Sequence, residues 1–382
     1  MIILLNYQKN KEQEYQKLAV DLLTDMIKIY SPSGKESTLA DYLARRMKND
    51  LDIQNVNIDK ANNVIGEIGT GNPVILLCGH MDTIPDKQEI EISETSICGR
   101  GACDAKSALA AQIMAAHSLI KSEFDGKIII AAVTDEEGNG AGINELMKHN
   151  LKSDYAIFGE PSGIDSVTIG YKGRISLSIS CTTPSAHASA PWLSKNSIDK
   201  VFEVWKAIEK YAYSNISDKS HYNSVTACIT RINGGTADNV MPGKCEIVID
   251  IRVPLRMGNQ TVMNDLKEII GRFQNDSAFP QILTKILDNT EPFEAKRDSP
   301  LIKAAIKSGL EIRKKRPLLL LKTGTGDMNI LANTLKIPVI TYGPGNPHMS
   351  HTSKERIEIS DYLESIEVYK RTILNIIKFH RK

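Results

Sequence analysis

The chain has 382 residues, 41 % of them hydrophobic and 24 % charged, with a formal net charge of +1. That length favours two domains over one core. The balanced charge excludes a global basic field for nucleic acid or anionic membranes. No apolar run approaches the ~20 residues that span a bilayer. Ile2-Ile3-Leu4-Leu5 is too short for a signal peptide, so a cytoplasmic protein is expected. The six cysteines, Cys78, Cys98, Cys103, Cys181, Cys228 and Cys245, form no CxxC pair. They read as free thiols in a reducing compartment, not as a thiolate zinc cluster.

Apolar residues at Leu18, Leu22, Leu23, Met26 and Ile27 have helical spacing, which predicts a helix over 14–30. Ser31-Pro32-Ser33-Gly34 stops it, and a second helix is expected over 36–47. Strands are expected at 73–79, 127–133 and 154–158, alternating with helices at 106–120 and 142–149. That alternation implies a mostly parallel sheet covered on both faces. The texture changes after Tyr171-Lys172-Gly173. Ile175, Leu177 and Ile179 alternate with serines as in a half-exposed strand. A helix (197–213), two strands (224–232, 244–253) and a helix (261–273) complete a small α+β, ferredoxin-like unit. Helix–strand alternation then resumes with helices at 301–312, 327–333 and 361–379 and strands at 317–321 and 337–341. The expected organisation is an α/β catalytic domain, 1–173 and 290–382, interrupted by a domain inserted at 174–289.

Acid- and His-bearing residues gather where these strands end. His80 and Asp82 follow Pro73-Val-Ile-Leu-Leu-Cys-Gly79 and share a face, so the carboxylate can orient the imidazole. Alone, His-x-Asp is a weak motif. Asp104 closes the turn Cys98-Gly-Arg-Gly-Ala-Cys103 before a helix, where one carboxylate oxygen can cap the helix while the other binds a cation. That turn lacks both phosphate-loop patterns. Glu136 and Glu137 end the run Lys127-Ile-Ile-Ile-Ala-Ala-Val-Thr-Asp135. Glu160 follows Phe158-Gly159, and His348 and His351 lie in a loop after a strand. Each is unremarkable singly. Together, His80, Asp104, Glu137, Glu160 and His351 all lie just beyond predicted strand or loop ends, and ligands of open α/β folds gather at the carboxyl ends of strands. Two imidazoles and three carboxylates suit a pair of divalent ions, with Asp104 able to bridge them. Two such ions polarise a carbonyl and acidify water. Glu136, left unligated, is the natural general base.

In order along nearly the whole chain, these blocks resemble the two-zinc metallohydrolases that include ArgE, DapE, aminoacylases and glutamate-type carboxypeptidases. The blocks are Gly79-His80-Met-Asp82, Gly99-Arg-Gly101-Ala-Cys-Asp104-Ala-Lys106, Asp135-Glu136-Glu137-Gly138, Gly159-Glu160-Pro161, Ala186-His187-Ala-Ser189, Asn239-Val-Met-Pro242, Asp250-Ile-Arg252 and Gly343-Pro-Gly345 with His351. The resemblance implies that His80, Asp104 and Glu160 hold one zinc (or cobalt) ion, and Asp104, Glu137 and His351 the other. It gives Asp82 the orientation of His80 and Glu136 the activation of water. It also implies a homodimer built on the inserted domain, which supplies His187 to the partner subunit's active site as oxyanion stabiliser, with Asn239 and Arg252 gripping a substrate carboxylate. Ser107, Ser194 and Ser197 depart from the family pattern without removing a ligand or the base.

The loop Leu321-Lys-Thr-Gly-Thr-Gly326-Asp327-Met-Asn329 is similar to the branch that releases lysine or ornithine from the acidic amino-group carrier protein LysW. That resemblance makes Gly326 and Asp327 substrate-binding candidates, with Asp327 or Glu355 as partner of the substrate's side-chain amine. Arg313-Lys314-Lys315-Arg316 is a candidate basic rim for the carrier. Deacetylation of N-acetyl-ornithine or N-acetyl-lysine, or another aminoacylase or carboxypeptidase activity, is the alternative within the family. A non-catalytic, metal-stabilised binding protein would not need an unligated Glu136. Nucleotide binding at Thr323-Gly-Thr-Gly326 lacks the Lys-Ser/Thr ending.

Overall fold

The computed structural model describes residues 2–122, 124–149, 151–218, 220–275 and 280–381, with side chains from residue 10 onward. The chain divides into two compact units. One is Met1–Ile169 with Ala295–Leu320 and Gly326–Lys382; the other is Gly170–Glu294 with Leu321–Thr325.

The first unit is α/β. Its sheet has a parallel centre, in the order Lys127–Val133, Val74–His80, Tyr155–Gly159, Val339–Tyr342. These strands are near-continuous apolar runs because both faces are covered. Residues 75–80 and 128–133 are buried without alternation. Antiparallel strands extend the centre on both sides: Val64–Ile68 and then Gln54–Ile58 beyond Lys127–Val133, and Ser166–Tyr171 beside Val339–Tyr342. The sheet is therefore mixed. The strand at 54–58 escapes a reading by pattern, because Gln54-Asn-Val-Asn-Ile58 is polar and exposed at the sheet edge; Val64–Ile68, one strand further in, alternates buried and half-buried residues. Helix Lys106–His117 is buried from Lys106 to Ala116, and its alanines allow close packing on the sheet. Helix Ile2–Lys28 begins earlier than the spacing predicts and buries Leu22, Leu23 and Met26 completely.

The second unit is a four-stranded antiparallel sheet, ordered Thr226–Gly234, Lys244–Val253, Gly173–Thr182, Gln281–Thr290. Helices Ser197–Ser214 and Gly258–Gln274 contribute Val201, Val204, Ile208, Val262 and Leu266 to a core with Ile175, Ile179, Ile247 and Ile251. Strand Gln281–Thr290 was not expected. Its mixed Lys, Asp and Asn content suits the exposed edge it occupies. The serines of Gly173–Thr182 are less exposed than alternation implies: Ser176 and Ser178 are buried, and Ser178 donates to Glu246 Oε1 at 2.7 Å.

All six cysteines are free, four of them buried. Among the described residues, no helix is long and apolar enough to cross a membrane.

Candidate metal centre

The carboxyl ends of the central strands deliver His80, Glu137 and Glu160, and turns deliver Asp104 and His351, to one place in the first unit. His80 is the last residue of Val74–His80 and is fully buried. Its Nε2 lies 3.3 Å from Asp104 Oδ1 and 3.7 Å from Glu160 Oε1. His351 Nε2 lies 2.7 Å from Glu137 Oε1 and 3.5 Å from Asp104 Oδ2. Asp104 thus turns one oxygen to each imidazole. Two groups of donor atoms, His80/Asp104/Glu160 and Asp104/Glu137/His351, each lie within 4.8 Å of one another.

Backbone geometry explains the convergence. After Lys127–Val133 the chain turns at Asp135, whose φ of 61° is left-handed. Such a conformation costs about 1 kcal/mol in a non-glycine residue and is tolerated where surroundings enforce it. Here Glu36 Oε1 accepts the Asp135 N–H at 3.0 Å, while Asp135 Oδ2 accepts from the N–H groups of Asn139 and Ala141. The next two N–H groups point at Asp82: Glu136 N–H to Oδ1 (3.1 Å) and Glu137 N–H to Oδ2 (3.0 Å). Ser33 Oγ adds a third bond to Asp82 at 2.7 Å. Asp82 does more than face His80. Indeed, His80 Nδ1 is nearer the Asp82 carbonyl oxygen (3.1 Å) than its carboxylate (3.5 Å). Asp82 fixes the turn that presents Glu136 and Glu137. Glu160 follows Tyr155–Gly159, where Gly343 is needed for close approach: a Cβ there would lie 2.6 Å from the Glu160 carbonyl oxygen.

The electrostatics call for cations. Burial opposes charging of His80. Hydrogen bonds to Asp104 and Asp82 and the charges of Glu160 and Glu136 outweigh it and hold the imidazole well above its ordinary range. Burial, reinforced by Glu137, Asp104 and Asp82 and opposed by His80, pushes the Glu136 carboxyl up to about 7. A desolvated acid cluster of this kind is unfavourable unless positive charge enters it. One imidazole and two carboxylates per group, with a carboxylate shared, fit a pair of divalent ions in the zinc class. Glu136 belongs to neither group.

Some expectations change. Asp104 does not cap the following helix: Ala105 occupies the cap and no side-chain capping bond forms. Glu355 is not open to a substrate amine. Its carboxylate is buried and accepts from Arg100 Nη1 and from the N–H groups of Gly101, Cys103 and Asp104. Asp327, at the start of helix Asp327–Leu335, is also buried, with Oδ2 lacking a hydrogen bond. Burial and Glu136 raise its carboxyl well above the usual range. Only 3 % of its surface is exposed. Gly326 makes room for the base, since a Cβ there would lie 2.6 Å from Glu136 Oε1. The run Arg313–Arg316 is partly neutralised, because Arg313 pairs with Asp165 and Glu364, and Lys315 with Asp165. His348 lies outside both donor groups.

His187, Asn239 and Arg252 belong to the second unit. His187 is exposed and pairs with Val240 in a two-stranded ladder, and Ala188 N–H bonds the Asn239 carbonyl at 2.9 Å. Those two are brought together. Arg252 lies on a different sheet and forms an ion pair with Asp250 at 2.6 Å. Residues missed by pattern are Ser33, Glu36 and Arg100, and the clamp made by Glu355. Each acts through contacts remote in sequence that no local spacing reveals.

The family model for peptidase family M20/M25/M40 matches residues 76–375, and the chain belongs to this family of metal-dependent hydrolases. It is 33 % identical over 359 residues to a putative LysW-lysine/LysW-ornithine hydrolase of Pyrococcus furiosus, covering 94 % of this chain and 97 % of that one. It is 31 % identical over 369 residues to the LysW-lysine/LysW-ornithine hydrolase of Saccharolobus islandicus, covering 96 % and 98 %. An M20 family metallo-carboxypeptidase, Sso-CP2 of Sulfolobus solfataricus, shares the fold with a TM-score of 0.79 at 18 % identity, over 94 % of this chain and 99 % of that one.

Proposed function

We propose that the protein is a dinuclear metal-dependent amidohydrolase, and that it releases lysine or ornithine from the carrier protein LysW by cutting the amide to the carrier's terminal glutamate. The observation that carries the chemistry is the disposition of Asp104, with Oδ1 3.3 Å from His80 and Oδ2 3.5 Å from His351. In this reading His80, Asp104 and Glu160 hold one ion and Asp104, Glu137 and His351 the other, zinc or cobalt. When bound, such a pair supplies polarisation of the scissile carbonyl and acidifies water near neutral pH. Glu136 takes a proton from the attacking water. As the C–N bond breaks, it delivers that proton to the nitrogen, which leaves as the amine. Asp82 holds Glu136 and Glu137 by their backbone N–H groups and so fixes base and ligand together.

The names of the relatives support the substrate. The segment 174–289 is read as a lid and dimerisation domain, and 1–173 with 290–382 as the catalytic domain. Sedimentation would give a homodimer. In the second unit, His187 is assigned to oxyanion stabilisation and Asn239 and Arg252 to the substrate carboxylate. His187→Ala should lower kcat by about 100-fold. The substrate test is a comparison of kcat/KM for LysW-linked lysine, N-acetyl-lysine and N-acetyl-ornithine. The carrier-linked substrate should be preferred by orders of magnitude. The reverse order would replace this reading with the deacetylase.

A further inference from the structure

Glu355 belongs to neither donor group, yet it is fully buried and its carboxylate accepts four hydrogen bonds. Its Oε1 accepts three consecutive-loop N–H groups: Gly101 (3.0 Å), Cys103 (2.9 Å) and Asp104 (2.8 Å). Its Oε2 receives Arg100 Nη1 at 2.5 Å, and Arg100 Nη2 reaches Asp86 at 2.7 Å. Its carbonyl oxygen accepts from the Gly99 N–H at 3.1 Å and from Gln88 Nε2 at 2.9 Å. The two segments continue in register beyond it, since Arg356 pairs with Cys98 and Ile357 with Ile97. One end of this knitted pair carries Asp104, and the other carries His351, four residues before Glu355. His351 has a left-handed φ of 61°, a conformation its neighbours must enforce.

We infer that Glu355 is a positioning residue for the shared carboxylate: its side chain fixes the loop 99–104 against the segment bearing His351, and so sets the spacing of Asp104 between the two imidazoles. A carboxylate spent on three backbone donors is stronger than a neutral acceptor in the same place. Ligand placement must hold within fractions of an ångström for a metal site to keep its affinity. Because Asp104 serves both donor groups, loosening its loop weakens both at once. A lost terminal ligand weakens one.

The inference rests on the dinuclear reading, and one experiment separates the two. Zn2+ is titrated calorimetrically into the metal-free full chain, and into Glu355→Ala and Glu355→Gln, at a temperature where circular dichroism shows each folded. The wild type should take two ions. E355A should bind both at least tenfold more weakly. E355Q, which keeps an acceptor for the N–H groups but turns an amide N–H toward Arg100, should fall between. Co2+ absorption should show altered ligand geometry in both variants. A wild type that binds no ion removes the dinuclear reading itself. Two ions in the wild type, with unchanged affinities in a folded E355A, overturn the role given to Glu355. The same holds for E355Q should E355A not fold. Lowered melting temperature with unchanged zinc affinity also overturns it, because that outcome is purely structural support.

Discussion

The two halves of the candidate metal centre differ in how far they are removed from water. His80 has no exposed side-chain surface, whereas the His351 side chain is 49 % exposed. His80 stands on a strand inside the sheet and inherits its rigidity. His351 stands in a turn with a left-handed backbone, held in place by the segment behind it. Charge interactions strengthen as solvent is excluded. The His80 half should therefore retain its ion more tightly and exchange it more slowly, and the His351 half should be the labile one. The contrast also separates ligands from chemistry: Glu136, half-buried, belongs to neither group.

The strongest way to break that comparison is at Glu136. Glu136→Gln should lower kcat by about 10²–10⁴-fold, the range of a positioned general base, while elemental analysis still finds both ions. Loss of metal with activity would show that Glu136 is a ligand and that the two-group partition is wrong. The halves themselves separate next. A chelator should strip one ion first in the wild type. His351→Ala should hold a single ion with a near-normal melting temperature, and His80→Ala should lose both metal and stability, because it leaves acids buried without their imidazole. Equal effects of the two substitutions would erase the distinction.

Lys106 sharpens the view of the buried half. Its Nζ donates to the carbonyls of Met26 and Ile29, closing the end of helix Ile2–Lys28 beneath the Asp104 turn. Lys106→Met should cost about 1–3 kcal/mol by leaving those carbonyls unpaired. Burial, opposed by Glu355 and Asp82, pushes the ammonium down to about 7. An unfolded lysine titrates near 10.4. Between those values the unfolded chain binds the extra proton, so stability rises with pH from about 7 to about 10. Urea unfolding across that window should show the rise in the wild type and its absence in the variant. The smallest effect is expected at Gly326. Its φ of −161° suits any residue, so Gly326→Ala acts by contact, chiefly with Glu136 Oε1 at 2.6 Å and less with Met328 Sδ at 3.1 Å. A roughly tenfold fall in kcat, or about 1.4 kcal/mol, without metal loss is the expected outcome.

What could be read from the chain and what could not follow a physical division. His80, Glu136, Glu137 and Glu160 each end or follow an apolar run long enough to be a buried strand, and parallel strands deliver their ends to one edge. That logic is local and survives in sequence. Asp104 and His351 come from turns, so only the ordered family blocks bring them into the same group. Glu355 and Arg100 are separated by 255 positions, and their pairing leaves no local signature. Edge strand Gln54–Ile58 is polar because one side faces water, and so its pattern resembles a loop. The basic run Arg313–Arg316 reads as a rim until Asp165 and Glu364 are seen beside it. Asp327 reads as a substrate acid until its burial is known.

Diffraction from crystals of the zinc-loaded protein, collected at the zinc absorption edge, tests the central claim most directly. Two anomalous peaks per chain are expected, one among His80, Asp104 and Glu160 and one among Asp104, Glu137 and His351, with Asp104 contacting both. Peaks elsewhere, or a single peak with Glu136 among its ligands, would contradict it.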